Sequence, residues 1–86
     1  MINEEQLPVS VDTAVEIIGY LFAKACRDED AATDARAKEV YRERAAVLRD
    51  EISVVRGNTD DDARRMNVFN KVVSEYAPLV RQYLGN

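Results

Sequence analysis

The chain has 86 residues, 47% hydrophobic and 33% charged, and twelve Lys and Arg against sixteen Asp and Glu give a net charge of −4. That suffices for one domain with one modest core and is too apolar for a disordered chain. A mild negative charge argues against a phosphate backbone as the main partner. Histidine is absent, which removes the usual general base and the usual zinc ligand.

The first nine residues read as an irregular arm, because Pro8 disfavours helix at Leu7. Leu7 and Val9 are placed to lie over the bundle. Ser10 or Asp12 can cap a first helix over about 11–28, since either side chain can accept from an unpaired first-turn N–H. Val11, Ala14, Val15, Ile18, Leu21, Phe22, Ala25 and Cys26, with Ile17 beside them, recur in steps of three and four and form its buried face. Gly19 at the edge of that face predicts a close helix crossing. The run Asp28-Glu29-Asp30 is unfavourable at a helix C-terminus and is assigned to the start of the next helix.

That second helix spans about 32–56, with Asp30 or Thr33 as its cap and an Asp34–Lys38 pair in its first turns. Gly57 sits where a left-handed C-terminal cap is expected. Its seam is Ala37, Tyr41, Ala45, Leu48, Ile52 and Val55. A second stripe, Val40, Val47 and Val54, repeats every seven residues, with Arg44 and Glu51 lying between the two.

A third helix over about 60–84 opens on Thr59 as cap, with Asp62 in the reciprocal capping-box position. Asp60–Arg64 and Asp61–Arg65 have favourable i,i+4 spacing. Met66, Phe69, Val73, Tyr76, Val80 and Tyr83 form its seam, flanked by Val68, Val72 and Leu79. Pro78 falls on the polar side and predicts a kink near residues 74–78, with a clean break as the alternative. The fold class is therefore all-α, an antiparallel up-down-up three-helix bundle.

No catalytic motif, metal-ligand cluster or phosphate loop occurs. The acids of residues 28–30 and 60–62 are consecutive, so their side chains diverge by about 100° each on a helix. Glu39 and Glu43 share a helix face, the one footing for a Mg²⁺-dependent nucleotide hydrolase. Cys26 reads as a packing residue, because there is no His to activate it and the acidic run of residues 28–30 lies beside it. Arg42, Arg49 and Arg56 repeat every seven residues, but Glu39, Glu43, Asp50 and Glu51 cancel them and no aromatics alternate with them to stack on bases. The lone cysteine and the lack of a signal-like or membrane-spanning run point to a cytoplasmic protein without cofactors.

The remaining candidates are interaction surfaces. Tyr20 falls opposite the core stripe of the first helix, on the line of Glu16, Lys24 and Arg27, where a bundle gains little from an aromatic. The second surface is Val40, Arg44, Val47, Glu51 and Val54. These predict a non-enzymatic module of inhibitor, immunity, antitoxin or adaptor type, of bacterial or phage kind, that binds another protein. The alternative is a homodimer paired through the valine stripe.

Overall fold

The computed structural model describes residues 3–85, and among them there are helices and turns but no strand. Three helical arms make the frame: α1 (Val11–Ala31), α2 (Ala35–Val55), and a third arm of α3 (Asp62–Lys71), a π-helical turn (Val72–Tyr76) and α4 (Ala77–Leu84). The all-α three-helix architecture expected from the sequence is the one adopted. A 3₁₀ turn at Glu4–Gln6 precedes it, and Leu7 and Val9 pack half-buried against the core. The first two residues of the arm, and residue 86, lie outside the described residues.

Ser10 caps α1, its Oγ accepting from the Thr13 N–H at 3.1 Å. The helix then runs through the acidic residues 28–30 to Ala31, beyond its expected end. Cations supplied by side chains offset the acids. Lys24 Nζ bonds Asp28 at 3.0 Å, and Arg42 Nε of α2 donates to Glu29 Oε2 at 3.0 Å. Lys38 Nζ donates to the Glu29 carbonyl at 3.3 Å, placing a cation where the macrodipole wants one. Lys38 therefore reaches back to α1 rather than to Asp34, and Asp34 itself caps α2 by accepting from the Ala37 N–H.

The end of α2 follows the sequence. Gly57 adopts φ of 93°, its N–H bonds the Val54 carbonyl at 3.0 Å, and the Asn58 N–H bonds the Ser53 carbonyl at 3.1 Å. These are the two bonds of a Schellman cap. The third arm starts later than expected. Asp61 is the cap, accepting from the Arg64 N–H at 3.0 Å, while the Thr59 hydroxyl accepts from the Asp61 N–H. Arg64 and Arg65 do not use the local acids as anticipated. Arg64 pairs with Asp50, and Arg65 donates through Nε and Nη2 to the Val55 carbonyl at 3.2 and 2.8 Å. Both arginines thus tie the third arm to the C-terminal half of α2, where carbonyls at the helix end lack intrahelical donors.

The core comprises Ala14, Ile18, Leu21 and Ala25 of α1, Ala45, Leu48, Val54 and Val55 of α2, and Val68, Phe69 and Val72 of the third arm. On α1 this is the expected face; on α2 Ala45, Leu48 and Val55 belong to the expected seam, and Val54, expected in the second stripe as a contact residue, joins them in the core. On the third arm the seam is rotated by one position: Val68 and Val72, expected as flanks, are buried, and Val73, expected in the seam, is exposed. Val68, Phe69 and Val72 share one face of a regular helix, and the π turn begins at the last of them. Pro78 offers no N–H to the Ser74 carbonyl and its ring would crowd that carbonyl in a regular helix. The chain inserts an extra residue instead, so that the Ala77 N–H bonds Val72 O, five residues back. The arm stays helical on both sides of the turn, without the clean break.

Gly19 does not mark a close crossing, since a Cβ built there meets nothing within 4 Å. The radius of gyration is 13.8 Å, against about 12 Å for a compact chain of this length. The excess reflects how the third arm is laid: α3 lies along α2, whereas the π turn and α4 lie along α1. One face of α2, from Val40 to Val47, is left uncovered.

Candidate docking cleft

The divergence of α4 from α2 opens a cleft of about 560 Å³. Leu21 and Ala25 of α1 and Leu48 of α2 form its floor, and all three belong to the core. Val47 of α2 and Tyr76, Leu79 and Tyr83 of the third arm form its walls, with Lys24, Asp28, Arg44 and Lys71 around them. An apolar floor with a few placed charges is the usual composition of a binding site.

The stripe Val40–Val47–Val54 is cut in two by this arrangement. Val54 is 2% exposed and fully part of the core, while Val47 is 52% exposed and Val40 44%. Glu51, anticipated as a contact residue, is instead 7% exposed. It accepts from the Tyr76 hydroxyl at 2.5 Å and from Lys71 Nζ at 3.4 Å. A carboxylate so buried requires those partners, and among the described residues no buried side-chain polar atom lacks one. Burial, reinforced by the bond to Glu51, pushes the Tyr76 phenol up to about 12. Contact with Tyr76 and then the Glu51 charge raise Lys71 above its ordinary value. The π turn ends on Tyr76, so the extra residue that accommodates Pro78 also seats this phenol over Glu51.

The other expected surface does not form as drawn. Tyr20 is half-buried and packs against the core, because the buried face of α1 is wide enough to take in its ring. Glu16 and Arg27 are exposed. Lys24 leaves that line for the cleft, paired with Asp28 and 4.8 Å from the centre of the Tyr83 ring. Its bond to Asp28 raises its pKa. Arg44 stands differently: its guanidinium lies 5.5 Å from the Tyr41 ring and, among the described residues, has no carboxylate partner.

Sequence reasoning missed Tyr76, Leu79, Tyr83 and Lys71 as site residues. The three apolar ones carried only a core signal, and their periodicity is the same whether a neighbouring helix or a cleft faces them. Cys26 is half-buried against the core. Glu39 and Glu43 are both exposed, and among the described residues no three His, Cys, Asp or Glu side chains gather as a metal site would need. Among the same residues no helix is long and apolar enough to cross a membrane. Comparison with family models, curated proteins and solved structures finds no match to this chain.

Proposed function

We propose that the protein is a non-enzymatic binding module that docks another protein in the cleft between α2 and α4. The carrying observation is the uncovered face of α2: Val40 and Val47 stand exposed beside a cleft whose floor is core. A bundle that stabilised only itself would gain by laying α4 across those valines, at about 25 cal/mol per Å² covered. Contiguous exposed apolar groups mark interaction sites, and Arg44, Tyr76 and Tyr83 beside them are of the residue types enriched in hot spots. This revises the expected surface, retaining Lys24, Val40, Arg44 and Val47, leaving out Glu16, Tyr20, Arg27, Glu51 and Val54, and adding Tyr76, Leu79 and Tyr83. Roles of inhibitor, immunity, antitoxin or adaptor type in a cytoplasmic setting all fit such a module.

To test this, the immobilised chain captures a protein from its native host, and that protein's affinity is measured for wild type, Val47→Asp and Arg49→Ala. Val47→Asp weakens binding at least about tenfold, as expected when a charge replaces a central apolar contact, while Arg49→Ala, exposed on the opposite side of α2, binds as wild type. Equal binding by Val47→Asp and wild type contradicts docking in the cleft. A second reading, homodimerisation, is favoured by the seven-residue spacing of Val40 and Val47 along one helix face. Sedimentation decides it, because a mass that does not change with concentration removes the dimer.

A further inference from the structure

We infer that the occupant of the cleft is an amphipathic helix whose apolar face is flanked by carboxylates. This rests on the docking reading above and adds the chemistry of the partner. Lys24, Arg44 and Lys71 bring three cations to the cleft against a single lining carboxylate, Asp28, in a chain whose net charge is −4. Glu51 beneath them is engaged by Tyr76 and Lys71 and leaves the local balance positive. Arg44, between Val40 and Val47, has no carboxylate of its own among the described residues. A partner acid beside an apolar anchor satisfies it, whereas a partner cation would face the guanidinium of Arg44 with no carboxylate between them, Lys24 and Lys71 being already paired with Asp28 and Glu51.

The shape argues for a helix. Val40 and Val47 lie on one face about 10 Å apart, two turns of rise. A partner helix with anchors at i, i+3, i+4 and i+7 spans that distance and covers the floor between α2 and α4. The apolar strip runs from Tyr83 on the wall of the cleft, 43% exposed, and continues past the cleft on α2 at Val40, 44% exposed. Such a strip is longer than a small ligand held at the floor would use.

The test uses ¹⁵N-labelled protein and two synthetic peptides of about four helical turns. Both carry leucines at helical spacing; one has glutamates on the flanks and the other has lysines. The glutamate peptide shifts the amide resonances of Val47, Leu79 and Tyr83 and binds at least about tenfold more tightly than the lysine peptide. Added salt narrows that difference, and Arg44→Glu abolishes or reverses it. If both peptides shift these residues with equal affinity, the acidic partner is wrong and docking in the cleft stands. If neither shifts them, docking in the cleft is itself wrong. Laurate supplies a carboxylate and an apolar body without a helix. If it displaces the glutamate peptide and alone shifts the same residues as strongly, the occupant is a small amphiphile and the inference is overturned.

Discussion

The two halves of α2 carry the same kind of residue to opposite ends. At its C-terminal half, Val54 and Val55 are sealed under α3, Glu51 is held by Tyr76, and Arg65 secures the last carbonyl. From its middle towards its N-terminus, Val47 and Val40 continue the same seven-residue stripe into the open. Nothing in the local sequence of α2 separates a core valine from a docking valine here. The difference is made by the third arm, which follows α2 along α3 and then leans on α1 from the π turn onward. An apolar stripe specifies that a helix face will be covered; the path of another segment decides by what.

Several substitutions would break or sharpen this contrast. Phe69 is fully buried where α3 crosses to the core, so Phe69→Ala should lower the unfolding free energy by about 3–5 kcal/mol. For a chain of this length, with total stability on the order of 10 kcal/mol or less, that removes a large part of it. Chemical denaturation measures it directly. A loss under 1 kcal/mol would mean that the third arm contributes little to the closed half.

Tyr76→Phe removes one of the two donors to Glu51 and should cost about 1–3 kcal/mol, the range for leaving a buried acceptor under-satisfied. The same phenol has an alkaline signature. Its folded value lies near 12, above the ordinary 10, so the protonated form is favoured by folding. The contribution is present below pH 10 and is lost as pH rises towards 12. Tyrosinate absorbance should show one of the four tyrosines titrating late, and Tyr76→Phe should remove that late step. Four tyrosines titrating together in the folded protein would place Tyr76 in water instead of on Glu51. At the small end, Gly19→Ala should raise stability by up to about 1 kcal/mol, because the position is mid-helix and the added methyl meets open space.

Much of the frame was legible. Ser10, Gly57 and the apolar faces of α1 and α2 act through local hydrogen bonds and helical period, which the residues themselves encode. The third arm was less so. With valines at both 72 and 73, either could face inward, and the π turn that begins there arises from a carbonyl four residues before Pro78. Arg64, Arg65 and Lys38 have local acids at ideal spacing yet bond across helices, because helix-end carbonyls and Asp50 lie within reach only after packing. For the same reason, the cleft could not be foreseen. Its floor and walls are ordinary core residues, and it exists only because α4 and α2 diverge.

The most direct measurement of that divergence is equilibrium denaturation of Val47→Asp beside Val54→Asp. Seven residues apart on one stripe, they should part completely. Val54→Asp buries an uncompensated charge and should lose several kcal/mol or fail to fold. Val47→Asp sits in water near Arg44 and should stay within about 0.5 kcal/mol of wild type. If Val47→Asp instead destabilises the protein as severely as Val54→Asp, the face of α2 is closed in solution and no cleft stands ready for a partner.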